Sequence, residues 1–388
     1  MKIEVARTLE EVEALRPVWE RLERNYINSD IDFFLTHVRH APRVLRPHVV
    51  RVEDGDGAVG LAVARLEDAR SPTRLGYAMV FNPHVRSLTV VYGGLLGSDE
   101  RTVGRLVDAV GASIGRKEAD VVRIRMLPLG SPVYEAARDG VSFLRREHFR
   151  RPVTHWRSAI PGSLDEFLAA RSKERRRHVR RYAKRLQESY GGEIEIRRLN
   201  ARADVDRLFA DSEAVHGQTY QAKLGVGFSE GELNRRLTEA CMDRGWFRGY
   251  VLYLRGQPVS FWHGNVYAGV FWSVATGYDP AYAEERPGTY LLMRLIEDLC
   301  ADETVHTIDF GFGDADYKSN FGDQSWLEED VAVVEPRPKA VAINLGLSGL
   351  RGTVRTAQAV VTRTGQLPAA RRRWRARLSE RARSGAGP

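Results

Sequence analysis

Cysteine is scarce in this chain, whose 388 residues include only two, Cys241 and Cys300. Two thiols so far apart cannot form the close pairs of a zinc knuckle, and they are too few for a disulfide framework. No apolar run approaches the roughly 20 residues that span a bilayer, and the charged start, Met1 to Glu13, lacks the apolar core of a signal peptide. We therefore expect a cytoplasmic protein without a bound metal, in which both cysteines are ordinary buried thiols.

The composition is that of a folded protein with more than one core. Hydrophobic residues make up 43% and charged residues 28% of the chain, a balance typical of globular domains. A chain of this length favours two domains of ordinary size. The net charge of +8 comes mainly from arginine, and it raises the local concentration of phosphorylated or acidic partners without identifying them.

Strand and helix patterns alternate along the N-terminal part. A mixed order of this kind indicates an α/β sheet layered by helices. The predicted strands are Lys2–Ala6, Pro47–Val52, Ala58–Leu66, Leu88–Tyr92 and Asp120–Met126, with a long helix at Glu100–Lys117.

Two helices follow before the C-terminal part begins. Ser163 and Glu166 have the spacing of a capping box that opens a helix at Leu164–Ala170. A longer, strongly basic helix is predicted from about Ser172 to Ser189, and Gly191-Gly192 ends it.

The C-terminal part repeats the earlier order of elements, which indicates a duplicated fold. Its predicted elements are strand Glu193–Leu199, helices Ala203–His216 and Glu230–Arg244, strands Tyr250–Leu254, Val259–Asn265 and Gly269–Thr276, helix Thr289–Cys300 and strand Val305–Gly311. We expect each half to fold as its own six- or seven-stranded α/β unit, with the basic helix between them or across their edge.

These patterns divide the chain into four segments. We expect an N-terminal domain at 1–160, a basic helical linker at 161–192, a C-terminal domain at 193–336 and a basic helical tail at 337–388. The tail includes the arginine-rich segment Arg371–Arg383 and a disordered end at Ser384–Pro388.

A loop with proline and glycine leads into the helix after the third C-terminal strand. A helix start presents unpaired N–H groups and a partial positive charge, which suit a phosphorylated ligand. Gly288 allows close approach of a ligand to the backbone, and Arg286 adds a charge, so the segment Arg286-Pro287-Gly288-Thr289 is a candidate phosphate-binding site. The alternative is that Pro287 and Gly288 only shape the helix entry.

The next strand runs into a glycine-rich turn, Asp309-Phe310-Gly311, followed by Tyr317-Lys318-Ser319-Asn320-Phe321. This aromatic-Lys-x-x-aromatic pattern resembles Fem-type peptidyltransferases and the GNAT acyltransferases found in cellulose-biosynthesis clusters. The resemblance covers about Ser172 to Trp326. It implies two GNAT-like units in tandem and the transfer of an acyl or aminoacyl group to the amine of a small-molecule or peptidic acceptor.

The resemblance also implies acetyl-CoA or another acyl-CoA as co-substrate. GNAT enzymes that use acetyl-CoA usually have Arg or Gln three residues before the first glycine of the phosphate loop, and Gly or Ala two residues after it. Glu285 and Tyr290 occupy those positions here. Because a carboxylate repels a diphosphate, either Arg286 takes over the contact or the donor is held differently.

Acyl transfer to an amine needs a place for the amine proton and a stabiliser of the oxyanion. The candidate catalytic residues are Asp309, Tyr317, Lys318, His216 and His263. Asp309 lies near the C-terminal end of its strand, where ligands of α/β sheets gather. We expect Asp309 to orient or deprotonate the amine, Tyr317 to act as general acid and Lys318 to stabilise negative charge. Each histidine has an alternative structural role.

The segment Arg171–Arg185 carries arginine or lysine at most positions. It is a candidate contact for tRNA or a nucleotide phosphate, and a solvated basic linker is the alternative. Three functions therefore stay open: an N-acyltransferase using acyl-CoA, an aminoacyl-tRNA-dependent transferase of Fem type, and a non-catalytic GNAT-fold binding protein.

Overall fold

The structure is a computed structural model that describes residues 1–22, 25–55, 57–70, 73–75, 78–114, 118–139, 141–148, 152–219, 228 and 231–363. The predicted arginine-rich segment Arg371–Arg383 and the chain end at Ser384–Pro388 lie outside these residues. In the described part of the chain, no helix is both long enough and apolar enough to cross a membrane.

Strands and helices alternate along the whole described chain. The strands are β1 (Lys2–Ala6), β2 (Val44–Glu53), β3 (Val59–Arg70), β4 (Thr73–Leu75), β5 (Ala78–Phe81), β6 (His84–Gly97), β7 (Val121–Pro128), β8 (Val153–Ala159), β9 (Ile194–Arg198), β10 (Phe247–Leu254), β11 (Gln257–Tyr267), β12 (Val270–Tyr278), β13 (Thr307–Phe312) and β14 (Gln324–Val334). The helices are α1 (Leu9–Ala14), α2 (Arg16–Trp19), α3 (Ile31–His40), α4 (Glu100–Ala112), α5 (Pro132–Asp139), α6 (Leu164–Ala169), α7 (Lys173–Tyr190), α8 (Val205–Gly217), α9 (Glu232–Asp243), α10 (Pro287–Cys300), α11 (Asp316–Phe321) and α12 (Pro338–Arg363).

Twelve of the strands form one sheet in the order β1-β2-β3-β6-β7-β14-β8-β13-β12-β11-β10-β9. The sheet has two six-stranded halves: the N-half, from β1 to β14 in this order, and the C-half, from β8 to β9. In each half four antiparallel strands are followed by one parallel pair, β6 with β7 and β12 with β13. The predicted α/β fold with a duplicated order of elements is confirmed.

The two halves exchange their central strands. β8, which precedes most of the C-terminal part in sequence, pairs with β13 of the C-half, whereas β14, near the end of the chain, pairs with β7 of the N-half. β14 and β8 also pair with each other and so close the junction. Each half has the predicted six strands, but the two sheets are not separate as expected, because the exchanged strands join both halves into one sheet.

Side-chain caps set the starts of several helices. Asp30, Asp99 and Ser163 accept hydrogen bonds from the first turns of α3, α4 and α6. Ser172 accepts from Arg175 N at the start of α7, and Gly191, with a φ of 47°, ends that helix as predicted.

The basic helix α7 belongs to the core of the C-half. Its apolar residues Val179 and Leu186 are buried in the same cluster as Phe167 of α6 and Leu291 of α10. The expected position of this helix between the halves, or across their edge, is therefore not what the structure shows. Residues from the N-terminal part also enter the C-half, since Ile27 is buried with Phe209 and Phe261 and α3 packs against α9.

Candidate active site

The parallel strands β12 and β13 separate soon after they begin to pair. They pair only at Val270 to Trp272, opposite Thr307 to Asp309. Beyond this point β12 stays on β11 and β13 stays on β8. The two strands therefore open a wedge whose facing backbone groups are left for a ligand.

The start of α10 lies beyond the open end of β12. The helix begins at Pro287 after Arg286, which has φ 55° and ψ 47°, and no side chain caps its first turn. A left-handed non-glycine residue is uncommon, and such conformations cluster at ligand sites. A Cβ on Gly288 would lie 3.6 Å from Tyr278 Cδ1, so the position accepts a side chain without a close contact.

Arginine side chains from the preceding loop, from α7 and from α10 lie near this helix start, together with Asp165. The Arg286 guanidinium lies 5.8 Å from the centre of the Tyr182 ring. A cavity of about 180 Å³ lies between α6, α7 and α10, and its lining includes Arg180, Tyr182, Thr289 and Arg294. An anion at this helix start would thus meet arginine side chains as well as N–H groups.

The corresponding helix of the N-half has the opposite character. β6 and β7 also pair briefly and then diverge, but Asp99 caps α4 by accepting from Thr102 N at 2.7 Å. Glu100 adds a second carboxylate to the first turn. Asp99 already accepts from an N–H group of the first turn, and the two carboxylates offset the partial positive charge of the helix. The start of α4 therefore does not offer an anion site.

A buried charged cluster lies where the two halves meet. We call His155 of β8, Asp309 of β13 and Glu328 of β14 the junction triad. His155 Nε2 lies 2.8 and 2.7 Å from the two carboxylate oxygens of Asp309, and His155 Nδ1 lies 3.4 Å from Glu328 Oε1. None of the three residues is more than 1% exposed.

Further hydrogen bonds fix both carboxylates. Asp309 accepts from Arg157 Nε at 2.6 Å and from Gly311 N at 2.7 Å. Gly311 has a φ of 69° beside a bulge in β13, which turns its N–H back toward Asp309. Glu328 Oε1 accepts from Trp326 Nε1 and from the Tyr92 hydroxyl. Among the described residues, Glu328 Oε2 has no hydrogen-bond partner.

The junction triad favours a charged histidine. Burial alone would lower the pKa of His155, but hydrogen bonds and charges from Asp309 and Glu328 raise it above its ordinary value. Both ring nitrogens then donate, and the imidazolium together with Arg157 balances the two carboxylates. Burial, Tyr26 and Glu328 raise the pKa of Tyr92, so its hydroxyl stays protonated and donates.

Aromatic rings enclose the outer side of this cluster. The Arg157 guanidinium lies 5.0, 5.2 and 5.9 Å from the ring centres of Trp272, Trp326 and Tyr26. Trp326 also stacks on His155 at 4.5 Å. The cluster is therefore built by both halves and stands at the narrow end of the wedge, because Trp272 is the register partner of Asp309.

Residues 173–319 match the family model of the acetyltransferase (GNAT) domain. This segment is therefore similar to a GNAT acetyltransferase domain, and we call it the GNAT domain. It contains α7, the wedge, the start of α10 and Asp309, whereas His155 and Glu328 lie outside it.

Solved structures share the fold over most of the chain. FemX is 11% identical with a TM-score of 0.56, and the match covers 89% of this chain and 100% of FemX. A conserved protein of unknown function from Bacteroides thetaiotaomicron is 12% identical with a TM-score of 0.50, covering 86% of this chain and 100% of that one. No curated protein sequence matches the chain significantly. The similarity to FemX agrees with the predicted Fem-type arrangement of two GNAT-like units.

Of the three residues predicted to act together, Lys318 lies near both others, since its Nζ is 5.9 Å from the centre of the Tyr317 ring and it interacts electrostatically with Asp309. Tyr317, however, does not contact Asp309 in the described contacts. Tyr317 packs edge-on against Trp262 and Phe310 at 5.3 and 6.1 Å. Phe310 and Asp309 are neighbours in β13 and face opposite sides of the sheet, so Tyr317 is separated from the junction triad. Burial raises the pKa of Tyr317 to about 12.

Lys318 lies beside the wedge. Its ammonium donates to the carbonyl oxygen of Phe312, and a Cβ on Gly311 would lie 3.9 Å from Lys318 Nζ. Burial lowers the pKa of Lys318, an effect that Asp309 and Asp314 partly oppose. The ammonium is therefore near the strand end at which a donor in the wedge would lie.

The two candidate histidines lie elsewhere in the GNAT domain. His263 is fully buried, pairs with Ser212 Oγ at 2.9 Å, and has its pKa lowered to about 3 by burial. His216 is buried at the end of α8 next to Thr219. Neither contacts Asp309 in the described hydrogen bonds. No group of three or more potential ligand side chains in the described ranges is arranged to hold a metal ion.

Only some of the basic side chains of Arg171–Arg185 are exposed and could contact a nucleic acid. Arg171 is buried and donates to Ser158 Oγ and Phe321 O, and Arg176 donates to the carbonyls of Ala169 and Arg171. An exposed stripe remains on α7, formed by Lys173, Arg177, Arg180, Arg181 and Lys184.

Sequence reasoning missed His155, Arg157, Glu328 and Tyr92. The first two alternate with Trp156 in a short strand, and Trp326, Glu328 and Asp330 alternate in β14. Alternation of polar side chains was the available signal for these strands. No local sequence pattern predicts that these two strands pair with each other at the centre of the sheet.

Proposed function

We propose that this chain is an N-acyltransferase whose C-half binds an acyl-CoA donor and transfers the acyl group to an amine. One observation carries the proposal: the wedge between β12 and β13 and the uncapped start of α10 lie at the same end of β12. A donor with an anionic diphosphate and an extended amide arm needs these two features together.

The donor phosphates would lie on the backbone at Arg286–Thr289. The helix start would supply backbone N–H groups, and the side chains of Arg286 and Arg180 would supply positive charge beside Glu285 and Asp165. The amide arm would enter the wedge and pair with the exposed backbone of β12 and β13. This arrangement directs the thioester toward Lys318 and the junction triad.

In the reaction an uncharged amine attacks the thioester carbonyl, so that a C–N bond forms and the C–S bond breaks. Lys318 would stabilise the developing oxyanion. The Asp309 carboxylate, held in place by His155 and Arg157, would receive the amine proton. That proton would then pass to the leaving thiolate to give the free thiol. Preorganised charges in a buried site favour such a transition state because they need no reorganisation.

A second candidate, transfer from aminoacyl-tRNA, is favoured by the exposed stripe on α7. A row of lysine and arginine side chains can follow a phosphate backbone. If tRNA is the donor, replacing Lys173, Arg177 and Arg181 by glutamine should weaken tRNA binding and flatten its salt dependence.

Calorimetric titration with acetyl-CoA and with bulk tRNA tests the proposal. We expect saturable binding of acetyl-CoA and only weak, salt-sensitive binding of tRNA. Tight tRNA binding without acetyl-CoA binding would favour the second candidate. Binding of neither would favour a non-catalytic binding protein.

A further inference from the structure

A cavity of about 470 Å³ lies under α8 and α9, on the sheet face formed by β10, β11 and β12. Its walls are largely aromatic and come from both parts of the chain: Phe33 of α3 and the residues Phe209, Phe228 and Phe247. Asn234 and Val274 line it and are exposed, so they mark its open side. The volume is in the range of small-molecule sites.

All the side chains that line this cavity are uncharged near neutral pH. The lining includes no aspartate, glutamate, lysine or arginine. Burial raises the pKa of Cys241 to about 12 and lowers that of His263 to about 3. A charged ligand would lose its hydration there without gaining a counter-charge.

The cavity wall contains a buried hydrogen-bond acceptor that lacks a donor in the described part of the chain. Asn265 is 6% exposed, and among the described residues its side-chain oxygen Oδ1 has no hydrogen-bond partner. An unpaired buried acceptor is costly, so it points to a ligand that donates a hydrogen bond.

The register of the sheet connects this group to the junction triad. Asn265 lies opposite Trp272, and Trp272 lies opposite Asp309. Directly opposed residues share a face, and two strand spacings amount to about 10 Å. A ligand held at Asn265 is therefore separated from Asp309 by one side chain, Trp272.

We propose that this cavity binds an uncharged, mainly apolar amine, such as an arylamine, whose N–H donates to Asn265 Oδ1. The inference rests on the proposed function only in naming this ligand as the acyl acceptor. Phe33 of α3 completes the wall, so the selection of the acceptor depends on the N-terminal part of the chain as well as on the GNAT domain.

Ligand-observed NMR titration of the full chain tests this assignment with two neutral probes. 4-Propylaniline has an N–H donor, and N,N-dimethyl-4-propylaniline lacks it. We expect the first to bind about three- to tenfold more tightly, which corresponds to one hydrogen bond between neutral groups. Spermidine, a polycation, should not compete with either probe.

Two variants separate a ligand-binding role from a structural one. Asn265→Leu should remove the preference for 4-propylaniline, and because it replaces an unpaired acceptor, the free protein should be equally or more stable. Thr238→Trp should fill the cavity and abolish binding of both probes. Glu232→Trp, on the exposed side of the same helix, is the matched control and should bind like the parent protein.

Failure to bind either probe, equal affinity for both, or spermidine binding that competes with the probes and is lost in Thr238→Trp would overturn the inference. Acetyl-CoA titration of the same samples distinguishes failure of the cavity assignment from failure of the proposed acyltransferase function. Acetyl-CoA binding without arylamine binding removes only the acceptor assignment. Arylamine binding without acetyl-CoA binding keeps the cavity assignment and removes the proposed acyltransferase.

Discussion

His155 and Asp309 are 154 positions apart in the chain, yet His155 Nε2 lies 2.7 Å from Asp309 Oδ2. The contact exists because β8 crosses into the C-half and pairs with β13. Glu328 of β14 approaches the other ring nitrogen from the opposite side. The candidate catalytic group is therefore assembled by the strand exchange that joins the two halves.

The charge on His155 should make stability depend on pH. Below the unfolded-state pKa of about 6.5 both states bind the proton, so the stabilisation from the raised pKa of His155 is fully present. As the pH rises through the higher folded-state pKa, the native state loses the proton and this stabilisation is lost. Urea unfolding of the parent and of His155→Gln at pH 6 and pH 9 should show a larger difference at pH 6.

His263→Gln is a control, because His263 should change the free energy of unfolding with pH in the opposite direction to His155. The pKa of His263 is lowered to about 3, so the unfolded state binds more protons between about pH 3 and 6.5, and stability falls with falling pH in that window. A His155→Gln difference that is equal at both pH values, or larger at pH 9, would contradict a charged histidine in the junction triad.

The strand exchange predicts which fragments fold. A fragment of residues 161–336 lacks β8, so β13 loses its antiparallel partner and Asp309 loses His155 and Arg157. A fragment of residues 152–336 keeps all three. We expect only the longer fragment to unfold cooperatively in urea, as monitored by circular dichroism. Equal midpoints for the two fragments would show that β8 is dispensable to the C-half.

The sequence predicts the GNAT-like elements well because their signals are local. The helix end at Gly191 follows from glycine's tolerance of positive φ, and the helix start at Pro287 follows from the missing N–H of proline. The apolar runs of β10 and β11 likewise identify buried strands.

The junction was not predictable in the same way. In β8 the buried side chains include His155, and in β14 they include Glu328, so neither strand reads as an apolar run. Their polar groups are stabilised only by partners that are distant in sequence. Asp309 was predicted near the end of its strand, whereas it is the third residue of β13 (Thr307–Phe312), and its partners depend on the exchanged strands.

Substitutions of Asp309, Lys318 and Tyr317 should have different effects on the turnover rate. We expect Asp309→Asn to lower the rate about 100- to 10,000-fold, as for other groups that handle protons. Lys318→Met should lower it strongly by removing the ammonium beside the wedge. Tyr317→Phe should stay within a few fold, because Tyr317 packs against Trp262 and Phe310 on the other sheet face.

The measurement is the release of free CoA thiol with an amine that supports it, on variants with parent-like unfolding curves. If Tyr317→Phe fell as far as Asp309→Asn, Tyr317 would act in the reaction and its assignment to the core would fail. If Asp309→Asn kept near-parent rates, the junction triad would be structural.

The central claim is that the C-half, through the start of α10, binds the donor diphosphate. Gly288→Glu places a carboxylate at this helix start, where it favours the helix but repels an anion. Gly104→Glu puts the same charge on α4 of the N-half, where a Cβ meets nothing within 4 Å. In calorimetric titrations with acetyl-CoA we predict a Kd at least about tenfold higher for Gly288→Glu, a loss of about 1.4 kcal/mol, and parent-like binding for Gly104→Glu. Parent-like binding by Gly288→Glu, or an equal loss in both variants, would contradict the account.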